Sequence, residues 1–227
     1  MRHARQYLAA GTSAAVPDVG VVLVTERTEK GELDSARARL LEAARDAFAD
    51  KGFFGTTTRD ISAAAGMSPA AVYVHHRSKE AMLYEISLTG HRDILQRIRA
   101  VPTKDPALAL REMVRQFVLS HAEGHTTARV VNYELGALSA EHRAEIDGLR
   151  HEIQASFRDL IAAGARAGVF GCDDIGMTAN AIMGMGIDVA RWYHDPSAGS
   201  GRRGGSWSPG QVAEHHARMA LHMVSAH

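Results

Sequence analysis

A single cysteine, Cys172, excludes any disulfide within the chain. That fits a reducing, cytoplasmic setting, in which a lone thiol most often serves as a small core residue. Neither sign of charge is in excess. The 26 Lys and Arg residues balance 26 Asp and Glu residues, so the chain is not a polybasic coat for nucleic acid. No apolar run approaches the roughly 18–20 residues of a membrane span, and Val19–Val24 is the longest notable candidate. Arg2, His3 and Arg5 precede no apolar core of a secretory signal, so no signal peptide is expected. Apart from a few residues near the N-terminus, no segment alternates as a strand. The glycine-rich stretches GMGID, near Met183, and GSGRRGG therefore follow no strand and make no phosphate cradle. A G-x-S-x-G nucleophile elbow is missing too. These absences argue against an enzyme.

What remains is a chain of 227 residues, 45% hydrophobic, long enough to bury a substantial core. Charge is locally uneven, with ten Lys/Arg against seven Asp/Glu in residues 35–100, a mild excess compatible with phosphate contacts at one end. Within that stretch, TTRDISAAAGMSPAAVYVHHRSKE (residues 57–80) has the layout of a helix-turn-helix. Thr57 and Asp60 have capping-box spacing. Ile61, Ala64 and Ala65 form a small apolar face, Gly66 breaks the helix, and Met67 plugs the corner. Ser68 caps the next helix, and Pro69 suits its first position because a missing N–H costs nothing there. Ala70–His75 is a short second helix, and Ser78 caps a third. Two short helices joined this way present the second to a major groove.

The rest reads as helix. Residues 1–34 show no sustained period and are expected to form a disordered leader, or an upstream extension from the choice of start codon. Ser35 opens a helix with Leu41, Ala44 and Phe48 on one face, ended by Gly52. The helix after Ser78 carries Leu83, Ile86, Ile94, Leu95 and Ile98 and closes by Pro102. Further helices are expected from Pro106, over about Thr126–Leu138, from Ser139 to Gly168, from Asp173 or Asp174 to Trp192, and from Ser208-Pro209 to the end. Residues 196–206 have the composition of a flexible loop. The expected fold class is all-α: a leader (1–34), a three-helix DNA-binding domain (35–84), and a helical ligand-binding and dimerisation domain (85–227).

These residues resemble the TetR family of one-component transcriptional regulators. The match is carried by Ala44, Phe48, Gly52, Thr57, Thr58, Ile61, Ala64, Ala65, Gly66, Ser68, Val72, Tyr73, Ser78, Lys79, Glu80 and Leu83, in one register. The resemblance implies a homodimer that binds double-stranded operator DNA and releases it when a small molecule enters the body. One position departs from the pattern. Where the family usually has an aromatic, three residues after Tyr73, this chain has His76, either seating the reader on the following helix or contacting phosphate. The body stretches NYELGALSAEHRAEI, ANAIMGMGIDVARWY and SPGQVAEHHARMAL resemble TetR-type regulators of lipid and sterol breakdown, several of which sense acyl-coenzyme A thioesters.

Candidate DNA contacts follow. Ser68, Ala70 and Ala71 allow close approach of the recognition helix, and the alanines suit thymine methyl groups. Tyr73, His75 and His76 reach bases or phosphates, while Thr57, Thr58, Arg59 and Lys79 serve the backbone. Candidate ligand-binding residues are Met113, Phe117, His121, Asn132, Tyr133, Phe157, Ile161 and Met183. The last two helices are expected to form the dimer interface, with Val212, His216, Met219, Ala220 and Met223 facing Ile182, Met185, Val189 and Trp192, and Gly184 and Gly186 permitting close approach. The alternative is a metal-responsive regulator. Of the 13 histidines, His121 and His125 stand at the i, i+4 spacing suited to a shared metal, but no cysteine cluster or acidic ligand set accompanies them.

Overall fold

The computed structural model describes residues 19–194 and 207–225. The region read as a loop, 196–206, and residues 1–18 of the leader lie outside the described residues. Among the described residues all regular structure is helical: α1 (Val19–Gly55), α2 (Thr58–Ala64), α3 (Pro69–His75), α4 (Lys79–Arg99), α5 (Pro106–Glu123), α6 (His125–Tyr133), α7 (Ala140–Arg166), α8 (Ile175–Trp192) and α9 (Pro209–Met223), with a 3₁₀ turn at Leu135–Ala137. Contacts divide the chain after Ala36, and the reader and body described below belong to the unit that starts at Arg37.

Local chemistry sets most boundaries. Thr57 accepts a hydrogen bond from the Asp60 amide while the Asp60 carboxylate accepts one from the Thr57 amide, closing a capping box on α2. Ser68, Ser78, Asp105, Ser139, Asp174 and Ser208 each cap the helix that follows with a side-chain oxygen. Gly52 has φ 71° and ψ 166°, a left-handed conformation that strains any side chain, and it interrupts α1 before one last turn. Gly66, φ 67°, turns the chain between α2 and α3.

Three boundaries differ from expectation. Helix α1 starts at Val19, upstream of Ser35, in a stretch with no proline after Pro17 and with good helix formers among residues 26–34. Helix α4 ends at Arg99, ahead of Pro102. Helix α6 stops at Tyr133 instead of reaching Leu138. Its chain tightens into the 3₁₀ turn, which buries Leu135 and directs Glu134 to the end of α1.

Two apolar cores result. The first collects Leu40, Ala44 and Phe48 of α1, Ile61 of α2, Val72 of α3 and Met82, Leu83 and Ile86 of α4, and is joined by Val130 and Val131 of α6. The second collects Leu95 and Ile98 of α4 with Val114 and Phe117 of α5, Ile153 and Phe157 of α7, Ile182 and Val189 of α8, and Val212 and Ala217 of α9. Helix α4 thus has one end in each core. Helix α5 packs most extensively against α9, whose inward residues Ala213, Ala217 and Ala220 are small and fully buried.

That packing corrects the expected dimer face. Ile182, Val189, Val212 and Ala220 are buried within their own chain, so they are not available to a partner. Gly186 is buried against Phe117, where a Cβ would lie 2.7 Å from the ring. It permits close approach of α8 to α5, within one chain.

Candidate nucleic-acid interface and body cavity

The reader presents α3 outward. Its buried contact is Val72, and Ser68, Ala70 and Tyr73 are exposed, Tyr73 at 59%. Ala71 and His75 are half-buried. Beside the helix, Thr57 and Arg59 are exposed and Thr58 is half-buried at the start of α2. The structure therefore brings these eight to one small domain, with Tyr73 outside its core. Two further exposed apolar side chains stand there, Val74 and Phe54 (84% exposed). From the sequence, Phe53 and Phe54 are both expected to pack on the reader core, and only Phe53 does; Val74 is not singled out there, although it lies off the stripe that carries Val72.

Two proposed DNA contacts have other work. His76 is 4% exposed. Its Nδ1 lies 3.6 Å from a Glu85 oxygen, and the same carboxylate accepts two hydrogen bonds from Arg37, at 3.0 and 2.7 Å. Of the two roles considered for His76, the buried position fits seating the reader on α4 and contradicts direct contact with DNA. Burial holds the imidazole below its ordinary pKa, against the pull of Glu85. Lys79 is half-buried. Its Nζ donates to the carbonyls of Phe53 (2.6 Å) and Thr56 (2.7 Å) and sits 4.1 Å from the centre of the Phe53 ring. The ammonium thus clamps the end of α1 to the start of α4, which corrects the reading of Lys79 as primarily a phosphate contact.

Reader and body are joined by polar contacts at two places. At the first, Glu134 Oε2 accepts from the Phe53 amide at 3.2 Å, and Arg129 donates to the Ala49 carbonyl at 3.2 Å. At the second, Glu80 Oε1 accepts from the Ser139 amide and lies 2.7 Å from His142 Nδ1. The His142 ring stacks on Tyr84 at 3.8 Å, and the Tyr84 hydroxyl donates to Glu145. Further along α4, Arg92 and Arg99 pair with Glu145 and Glu152 of α7.

The body contains a cavity of about 500 Å³, within the range of small-molecule sites. Of the expected ligand contacts, Phe117, His121, Asn132 and Met183 line it. Met113, Phe157 and Ile161 do not; they are buried in the body core. Tyr133 is half-exposed and borders a separate depression with Phe48 and Arg129. The polar wall was largely missed: His91 from α4, Asp147, Arg150 and Gln154 from α7, and Asn180 from α8. Helical spacing alone could have grouped Asp147, Arg150 and Gln154 on one face of α7.

The buried histidines are neutral acceptors. His121 Nδ1 lies 2.8 Å from the Phe117 carbonyl and His91 Nδ1 lies 2.7 Å from the Ser87 carbonyl. A carbonyl only accepts, so Nδ1 carries the proton in each ring and Nε2 is left as an acceptor. Burial drives the His121 pKa down to about 4 and lowers that of His91. Arg150 Nη1 donates to Asn132 Oδ1 at 3.2 Å. His125, the suggested metal partner of His121, turns its Nδ1 to the Ala122 carbonyl and its ring to Tyr193. Among the described residues, no three His, Cys, Asp or Glu side chains come together in a group that could hold a metal ion. No helix among them is long and apolar enough to cross a membrane.

With this geometry in view, comparison with known proteins is specific. Residues 40–86 match the N-terminal model of bacterial regulatory proteins of the tetR family, and residues 103–224 match a tetracyclin repressor-like C-terminal domain. The chain is 30% identical over 197 residues to the HTH-type transcriptional repressor KstR2 of Mycobacterium tuberculosis, covering 84% of this chain and 94% of that protein. A crystal structure of a tetR-family regulatory protein from Rhodococcus RHA1 superposes with a TM-score of 0.75 at 40% identity, over 85% of this chain and 98% of the other. The fold is shared also with AibR, solved with isovaleryl coenzyme A and operator DNA (TM-score 0.69, 23% identity, 84% and 98% coverage). Helix-turn-helix reader, helical body and both matched segments agree: the chain belongs to the TetR family of DNA-binding transcriptional regulators, which are not enzymes.

Proposed function

We propose that this protein is a cytoplasmic homodimeric repressor, released from its operator when a small apolar molecule or an acyl-coenzyme A thioester enters the body cavity. The observation that carries the ligand-gated reading is the position of Val131. This one side chain is packed in the reader core and also lines the cavity. Helix α4 repeats the relationship over a longer span, with Ile86 in the reader core and His91 and Ile94 on the cavity wall. A ligand that prefers one arrangement of α4 and α6 therefore biases the placement of the reader. A hundredfold preference corresponds to about 2.7 kcal/mol.

The repressor assignment draws on KstR2, and the thioester on the AibR complex. Residues 35–84 would act as the DNA-binding domain and 85–227 as the ligand-binding and dimerisation domain. Tyr73, Ser68, Ala70 and Ala71 would face the major groove, with Thr57, Thr58, Arg59 and His75 at its margins. Dimerisation would use the outer faces of α8 and α9. Trp192, Trp207, Met219 and Met223 are exposed there, and a groove of about 910 Å³ runs between the first three of them and His215. A two-fold dimer suits a palindromic operator.

Fluorescence anisotropy on the protein's own upstream intergenic DNA, with unrelated competitor across a salt series, tests this reading. Saturable binding that survives competitor and is reversed by acyl-coenzyme A thioesters is the expected result. Binding no tighter than to competitor would reject an operator at that site.

A further inference from the structure

Arg150 is the one unmatched charge of the cavity. Its guanidinium is half-buried and lines the wall, and burial presses its pKa below the ordinary arginine value. Among the described residues the guanidinium donates a hydrogen bond to a neutral group, Asn132 Oδ1, and forms no ion pair. Asp147, the nearby acid, attracts it electrostatically, yet both Asp147 oxygens lie within 3.0 Å of Arg143 Nε. Placing a cation in a partly desolvated pocket is costly unless an anion joins it.

No other lysine or arginine lines the cavity, whose remaining histidine, His151, is exposed. His91 and His121, with Nδ1 turned to backbone carbonyls and burial disfavouring their charged form, offer acceptor nitrogens. Gln154 and Asn180 are bonded to each other at 2.7 Å. The same cavity wall carries the apolar side chains of Ile94, Phe117, Ile153, Met183 and Ile187. Gly184 leaves open space at the wall, with no atom within 4 Å of where a Cβ would stand. One planar cation with spare donors next to an apolar chamber matches one planar monoanion on an apolar body. The several phosphate charges of coenzyme A would meet no second lysine or arginine among the lining residues.

We propose that the cavity binds a free carboxylic acid, with its carboxylate paired to the Arg150 guanidinium and its hydrocarbon body against Phe117, Ile94 and Ile187. This rests on the ligand-gated reading and puts the free acid in place of the thioester as the occupant. It also couples the ligand to the reader. Drawing the guanidinium to a carboxylate competes with its bond to Asn132, which lies on α6 one residue after Val131 and two before Glu134.

Isothermal titration of the full-length protein without DNA tests the site directly, using octanoate, decanoate and dodecanoate, their methyl esters, and decanoyl-coenzyme A. At least one acid is expected to bind about tenfold or more tightly than its ester, the loss of a charge-assisted pair. Arg150→Gln should abolish that preference, and Arg150→Lys, which keeps the charge, should retain part of it. The acid-to-ester ratio of the unaltered protein stands even if Arg150→Gln fails to fold. Binding of decanoyl-coenzyme A without any acid, equal affinity for acid and ester, or no binding at all would overturn the proposal. Anisotropy on operator DNA in parallel separates the two readings. An acid that binds through Arg150 without releasing DNA upholds the site and rejects gating by the acid; DNA release by the thioester with no acid bound upholds gating and overturns the site.

Discussion

The backbone amide of Phe53, one residue past the left-handed Gly52, donates to the carboxylate of Glu134 at 3.2 Å. That bond fastens the loose end of α1 to the turn that terminates α6, across 81 residues of chain. Its charged acceptor makes it one of the stronger contacts between reader and body. Glu134→Ala should lower stability by about 1–2 kcal/mol and weaken the effect of ligand on operator affinity. Glu134→Gln, which preserves an acceptor, should recover part of both. Unchanged melting and unchanged release in the alanine variant would show that the bond carries no coupling.

Lys79 discriminates between a clamp and a phosphate contact. As a clamp, its replacement by methionine strips two carbonyls of their donor, at a cost of about 2–3 kcal/mol measured by urea unfolding. The salt dependence of operator binding by the folded fraction should keep its slope. A phosphate contact would instead leave stability nearly intact and reduce that slope by about one.

Acid should unfold this protein through its buried imidazoles. His76, His91 and His121 all have folded-state pKa values below the ordinary 6.5, with burial as the first cause. The unfolded chain therefore binds more protons than the folded one wherever pH lies between the two values. The stabilising contribution is complete above pH 6.5 and declines as pH falls toward about 4, the His121 value. For His121 alone it amounts to roughly 3 kcal/mol at most. Melting temperatures recorded across that window should fall with pH, and His121→Gln should flatten the lower part of the curve. A flat profile in the unaltered protein would contradict the assignment.

Gly186 sets the distance between α8 and α5. An added Cβ would meet Phe117 Cδ1 at 2.7 Å and Cε1 at 2.8 Å. Gly186→Ala should cost about 1–3 kcal/mol through overpacking and push the Phe117 ring into the cavity it lines. Ligand affinity should fall even in protein that remains folded, as calorimetry would reveal. Preserved affinity and stability would mean that the ring moves freely aside.

The outer faces of α8 and α9 give the remaining test. Met219 and Met223 are exposed at 40% and 39%, so charge placed there does not disturb the monomer core. The double variant Met219→Glu, Met223→Glu should run as a folded monomer in light scattering after size exclusion and lose tight operator binding. A dimer of unchanged strength would place the interface elsewhere.

Much of the reader was legible from sequence because its chemistry is local. A threonine three residues before an aspartate, a serine before a proline, and a glycine between short apolar faces each determine a helix end through bonds made within a few residues. Thr57, Gly66, Ser68 and Ser78 act as those patterns predict. The sequence by itself thus determined the all-helical class, the helix-turn-helix and nearly every helix start. The tertiary structure alone decided what each helix face touches. Periodicity marks Val212 and Ala220 as apolar but cannot say that they meet α5 instead of a partner. The pattern around His76 and Lys79 is that of a nucleic-acid reader, yet His76 is buried and Lys79 is held by the carbonyls of Phe53 and Thr56 at the end of α1. The cavity is the clearest case. Its walls come from α4, α5, α6, α7 and α8, which no local pattern brings together. Arg143 and Arg150 both stand at helical spacing from Asp147 on α7; the folded chain gives the aspartate to Arg143 and leaves Arg150 on the cavity wall, bonded to Asn132 of α6.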